Sequence, residues 1–154
     1  MSAIELAGDF LAEGTIVATV VDGDGDEVVY RSRSPRPYTF PVVLLVDRHT
    51  ASAAEVFAGS LSAHGRAIVI GERTYGKGSA QTLVAGELGP RYATIATVTR
   101  PDGEPLQGRG VEPDVVIADP SPPPTAADFT AGWEAALAAD PALRASIDAV
   151  QGSA

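Results

Sequence analysis

The sequence contains no cysteine. That excludes disulfides, thiolate metal sites and cysteine nucleophiles, and it leaves the redox compartment unreadable. Two histidines are too few for a multi-histidine metal centre. Basic residues are scarce: 11 Lys and Arg stand against 20 Asp and Glu, a net charge of −9. A surface of that sign repels phosphate backbones and anionic lipid, which argues against nucleic acid or a membrane surface as the main partner. No apolar run approaches the roughly 18 residues of a membrane span. The first residues, MSAIELAGD, lack a basic region ahead of an apolar one, so no export signal is expected and the localisation stays unassigned.

What is present suits one domain with a core: 154 residues, 45% of them apolar. Ile4, Ala7, Phe10 and Leu11 follow helical spacing, with no capped run-in expected before them. Residues 14–21 are rich in β-branched side chains and predict a strand. The turn at 22–26 and the run 27–30 then complete a hairpin. Residues 42–46 form a continuous apolar run, as in a strand covered on both faces. Residues 52–63 predict a helix packed on that strand, closed by Gly65. Residues 67–70 predict a second covered strand, so strand, helix and strand imply a right-handed parallel crossover. Further strands are expected over 81–84, 92–98 and 114–118, with residues 107–110 as a flexible loop. The proline-rich stretch 119–124 reads as a linker. Beyond it, Phe129, Trp133 and Leu137 line one helical face. Asp140-Pro141 opens a last helix with Leu143, Ile147 and Val150 on one side. The expected organisation is an α/β domain over residues 1–118 with a mixed sheet and packed helices, a linker over 119–124 and a helical tail over 125–154.

Two positions invite chemistry. Ser52 follows a strand and begins a helix, where the next backbone N–H groups could stabilise an oxyanion. The same serine, with Glu55 three residues on, is equally a capping box. Lys77 sits between two glycines in residues 71–78 (GERTYGKG), close to the phosphate-loop pattern GxxxxGK[ST]. Gly78 stands where that pattern needs Ser or Thr, and a strand follows where it needs a helix. The other readings of Lys77 are a solvated lysine on a glycine turn and a base: neutral lysine can activate a serine when burial lowers its pKa. His49 and His64 suggest a Ser-His pair. His64, however, lies a helix length of roughly 18 Å from Ser52, and both read better as surface histidines. Asp22, Asp24 and Asp26 imitate the start of a calcium loop, but Glu27 replaces its glycine and Arg33 its closing glutamate. A solvated turn is the better reading there, as packing is for Phe129 and Trp133.

The run from Pro41 through Asp47, Thr50-Ala51-Ser52-Ala53-Ala54-Glu55 resembles the nucleophile segment of the carboxy-terminal processing (tail-specific) protease family, a strand followed by N/D-x-x-S/T-A-S-A-S-E. Residues 63–81 resemble its D-x-G-R-A-x-x-x-G-x-x-T-x-G-K-G-x-x-Q. Residues 101–114 resemble its P-x-G-x-x-I-Q-G-x-G-I-x-P-D. Lys77 lies 25 residues after Ser52 and Gln81 four after Lys77, as in the family. Ala54 and Ala63 replace the usual serine and aspartate. The resemblance covers about residues 4–118.

It implies a crotonase-like or Clp-protease-like α/β core. Ser52 would be the nucleophile and Lys77 the general base of a serine endopeptidase. Gln81 would orient Lys77, and the Ala53 N–H would be an oxyanion donor. Polypeptides engaged near their C-terminus, often with small apolar ends, would be substrates; no cofactor or metal is implied. The family's upstream strands, its N-P-G-G-type loop with a second oxyanion donor and its PDZ domain have no counterpart in these residues. The alternative is a non-catalytic peptide- or ligand-binding module on the same fold. Exposed core surface is expected to promote self-association.

Overall fold

The computed structural model describes residues 2–86, 89–117 and 140–152. The linker expected over 119–124 and the helix expected around Phe129 to Leu137 lie outside the described residues. The element order is α1 (Ala3–Gly8), β1 (Ile16–Asp22), β2 (Glu27–Arg31), β3 (Val43–Val46), α2 (Ala53–Ala63), β4 (Ile68–Gly71), β5 (Ser79–Val84), β6 (Arg91–Thr99), β7 (Val115–Val116) and α3 (Pro141–Gln151).

Helix α1 does have a cap, contrary to the sequence expectation. Ser2 Oγ accepts the Glu5 N–H at 3.2 Å and Glu5 Oε2 accepts the Ser2 N–H at 2.7 Å. Ser2-Ala3-Ile4-Glu5 is the S-x-x-E signature of such a box. The acidic turn uses its own charge locally: Asp22 Oδ1 accepts the N–H groups of Asp24 and Asp26 at 2.9 and 3.0 Å. This closes the hairpin between β1 and β2.

The strands divide between two sheets. One is antiparallel, in the order β2-β1-β6-β5; the other is parallel, in the order β3-β4-β7. Helix α2 carries the parallel crossover from β3 to β4. Its Leu61, wholly buried, joins Ala7, Leu11, Val17 and Ala67 in one apolar cluster. Its Ala58 joins Val46, Val69, Leu106 and Val111 in a second. Leu44 packs on both, so β3 and α2 couple the two halves of the core. Burying a leucine such as Leu61 contributes about 2 kcal/mol.

Central β4 is covered as expected, with Val69 and Ile70 wholly buried. Edge strand β3 is not covered on both faces: Leu45 stays 48% exposed. An apolar run reports burial in general, and β3 lies at the border of its sheet. Near it, Phe10 packs edge-on against Phe40 and Phe57 and at a tilt against Tyr38. The Arg66 guanidinium ties this group down by donating to the carbonyls of Phe10, Tyr38 and Phe40. At the end of the chain, Asp140 caps α3 by accepting from the Ala142 and Leu143 N–H groups. Helix α3 runs beside β3 and β4. Among the described residues no helix is long and apolar enough to cross a membrane.

Candidate active site

The turn after β3 is built on Asp47. Its Oδ1 accepts the His49 N–H, the Thr50 N–H and the Thr50 hydroxyl at 3.0, 2.7 and 2.9 Å. Burial raises the Asp47 pKa, but these hydrogen bonds from Thr50 and His49 outweigh it and hold the carboxyl below its ordinary value. The turn brings the chain to Ser52 at φ 59° and ψ −121°, the one non-glycine residue of positive φ among the described residues. That region is nearly reserved for glycine and costs on the order of 1–3 kcal/mol.

Ser52 therefore is not an ordinary capping serine. Its side chain makes no cap hydrogen bond, and the Glu55 N–H is taken by the Ser52 carbonyl at 2.9 Å. What survives of the box is the reverse arm, the Ser52 N–H donating to Glu55 Oε2 at 2.9 Å. The next amide, Ala53 N–H, has no acceptor among the described residues. Ser52 and Ala53 are both exposed. An exposed hydroxyl on a strained turn, beside an unspent N–H at the start of a helix, is a layout suited to attack and to holding an oxyanion.

Glu55, in the sequence only the partner of a capping box, has a larger role in the fold. It is fully buried, and four donors converge on it. Ser52 N–H and Lys77 N–H reach Oε2 at 2.9 and 2.7 Å. Gly76 N–H reaches Oε1 at 2.6 Å, and the Thr74 hydroxyl donates to the same oxygen. A carboxylate buried in this way is satisfied by hydrogen bonds rather than by a cation. Its effect is to bind the lysine loop to the serine turn. The Tyr75 N–H, donating to the Thr50 carbonyl at 2.9 Å, adds a second tie between them. No sequence signal separates this role from a plain capping box, because it depends on residues 19 to 22 positions away.

Residues 107–110 are not a loose loop. Gly76 O accepts the Gly108 N–H at 2.8 Å, Gln107 Oε1 accepts the Gly78 N–H at 3.1 Å, and Thr74 Oγ1 accepts the Val111 N–H at 2.8 Å. Leu106 and Val111, on either side, are buried. The glycines serve close approach here. A Cβ on Gly78 would stand 2.5 Å from the Gln107 nitrogen, and one on Gly110 2.6 Å from the Thr74 oxygen. Glycine density suggests freedom in a sequence; in this fold it marks two turns in contact.

The structure thus brings the Ser52 and Lys77 segments together through Glu55. The Lys77 side chain is exposed, and so is Gln81, on β5 opposite Thr94 of β6. Among the described residues, the Ser52 hydroxyl, the Lys77 amine and the Gln81 amide make no hydrogen bonds. His64 sits at the far end of α2, its Nε2 2.7 Å from the Ile16 carbonyl oxygen, and does not meet Ser52. His49 is exposed.

Residues 1–117 match the family model described as Peptidase family S41. The chain is 36% identical over 122 residues to the carboxy-terminal-processing protease of Bartonella bacilliformis, covering 78% of this chain and 28% of that protein. It is 36% identical over 118 residues to the carboxyl-terminal-processing protease of Synechocystis sp., covering 76% and 27%. Among solved structures it is similar to the photosystem II D1 C-terminal processing protease, with a TM-score of 0.64 at 35% identity over 78% of this chain and 32% of that one. A putative peptidase from Parabacteroides merdae shares the fold, with a TM-score of 0.65 at 19% identity over 99% of this chain and 49% of that one. The chain spans less than a third of the length of the two curated relatives.

Proposed function

The chain belongs to peptidase family S41, and from that premise we propose that it carries the serine-lysine portion of a carboxy-terminal processing endopeptidase. In this reading Ser52 Oγ attacks the scissile carbonyl of a polypeptide and Lys77 Nζ takes its proton. The carbonyl oxygen, now negative, is held by the Ala53 N–H. Collapse expels the new amine, which takes its proton from Lys77, and leaves an acyl ester on Ser52. Water then hydrolyses the ester with Lys77 again as base. Gln81 orients Lys77. The substrate is a polypeptide engaged near its C-terminus.

The observation that carries the reading is the shared anchor of the two reacting segments. Ser52 N–H and Lys77 N–H donate to the same oxygen of buried Glu55, with Ser52 held in a strained conformation. Ordinary helix caps do not store strain at an exposed hydroxyl.

The test is cleavage of an unstructured protein by the wild-type chain and by Ser52→Ala and Lys77→Ala variants. Loss of cleavage in both variants is expected. Equal cleavage by wild type and Ser52→Ala overturns the assignment and leaves a peptide-binding module on the same fold.

A further inference from the structure

Strand β2 ends the antiparallel sheet on the side away from β5, and its outer edge meets no other strand among the described residues. Two bonds fix which way its main chain points. At one end the Asp22 N–H donates to the Asp26 carbonyl at 3.0 Å, and at the other the Ser32 N–H donates to the Thr15 carbonyl at 2.8 Å. Hydrogen-bonding direction alternates along an antiparallel strand. Val28 and Tyr30 therefore bond toward β1, while Glu27, Val29 and Arg31 present their N–H and C=O groups to the open edge. The register irregularity near Ile16 falls on β1 and leaves this alternation intact.

That edge is complementary to itself. A second copy laid antiparallel about Val29 sets Glu27 opposite the partner's Arg31, Val28 opposite the partner's Tyr30 and Val29 opposite its own copy. All three outward-facing residues then fall in hydrogen-bonded pairs. Opposite charges, and an aromatic beside a β-branched residue, are favourable cross-strand pairs. A parallel copy in register sets like charge against like at both ends. Val28, Val29 and Tyr30 stand 52%, 43% and 41% exposed. A cavity of about 620 Å³ beside them, lined also by Ile4 and Gly8, leaves room for a partner's side chain. One Arg31 guanidinium nitrogen donates to the Gly14 carbonyl at 3.0 Å, and the group keeps further donors for Glu27. Glu5 and Asp9 line the cavity together with Arg31 and Arg33, and Glu13 adjoins Gly14. The match is therefore one of register between Glu27 and Arg31, not of net charge between two ends.

We propose that two copies of this chain pair through the outer edge of β2, antiparallel about Val29, joining their two four-stranded sheets into one. Strand β5 then lies at each far end of the combined sheet, so Gln81 stays open in both copies. A strand of five residues buries little area, and the pair is weak and concentration-dependent. The inference is independent of the peptidase reading.

The absence of cysteine makes a single introduced thiol a local probe. Full chains carrying Val29→Cys or Val28→Cys are oxidised with copper-phenanthroline and run on a non-reducing gel. Position 29 meets its own copy at a Cα separation of about 5.5 Å, within disulfide reach. Position 28 is roughly 8 Å from its own copy, two residues along the strand, and is out of reach. Covalent dimer is expected for Val29→Cys and little for Val28→Cys; pairing through any other surface gives no such preference. Adding Glu27→Arg to the Val29→Cys chain turns two attractive pairs repulsive and is expected to cut the dimer roughly fivefold or more. Adding Arg31→Glu as well reverses both charges and is expected to restore it. A thermal melt of each variant verifies folding. Equal crosslinking at 28 and 29, no dimer at 29, no effect of Glu27→Arg, or no restoration by the double reversal in folded chains overturns the proposal and leaves the edge to a different occupant.

Discussion

The backbone N–H groups of Ser52 and Lys77 meet on one atom, Glu55 Oε2, at 2.9 and 2.7 Å. Residues 25 positions apart are thereby fixed by a third that is itself on the first turn of α2. The energetic cost of ordering the lysine loop is offset by the three hydrogen bonds that Thr74, Gly76 and Lys77 donate to one buried carboxylate.

Replacing Glu55 by Gln should be disproportionately harmful. All four partners donate, and the amide nitrogen also donates, so two donors lose their acceptor. A loss of roughly 2–3 kcal/mol in unfolding free energy is expected, measured by urea denaturation. Hydrogen exchange should show the Gly76 and Lys77 amides less protected. A variant as stable as wild type would contradict the anchoring role.

Strain at Ser52 has its own signature. Ser52→Gly removes the steric cost of φ 59° and Ser52→Ala keeps it. The glycine variant is expected to be more stable than the alanine variant by about 1 kcal/mol, after the entropy cost of glycine. For a chain of this size that is roughly 2–4 °C in thermal midpoint. A glycine variant that melts below the alanine variant would refute stored strain.

Asp47 sets an acid limit on the same turn. Its carboxyl titrates below the ordinary 3.8 in the folded chain. The depressed value means its charge contributes stability that is fully present above the unfolded pKa and is lost as pH falls through the folded one. Asp47→Asn keeps an oxygen for His49 and Thr50 but carries no charge. The stability gap between wild type and variant should therefore be constant above about pH 5 and narrow progressively as pH falls through the unfolded value and then the lower folded one. Denaturant titrations at stepped pH measure it, and a gap independent of pH would rule it out.

Self-association is expected from the border of the parallel sheet. Tyr38, Phe40 and Leu45 are 53%, 54% and 48% exposed close to edge strand β3. Sedimentation velocity should show mass rising with concentration, and Phe40→Ser with Leu45→Thr should reduce it. A strictly monomeric profile for wild type across concentrations would exclude it.

The hairpin, the β3-α2-β4 crossover and helix α3 could be read from period, turn residues and caps, because those signals are local. So could the candidate positions Ser52, Ala53, Lys77 and Gln81, since motif spacing is a property of the chain. The helix cap of Ser2 and Glu5 is an equally local signal.

By itself the sequence determined, among the described residues, where most strands and helices fall, that cysteine chemistry is absent, and that Ser52 and Lys77 occur at the spacing of a protease family. Only the tertiary structure decided what Glu55 and the glycine turns do. A capping pair becomes an anchor when Thr74, Gly76 and Lys77 arrive from another segment. The stretch 107–110 becomes a wedge when its glycines let it close on the lysine loop. Hydrogen bonds and steric contact act at about 3 Å in space, and the sequence separation of their partners carries no local signal.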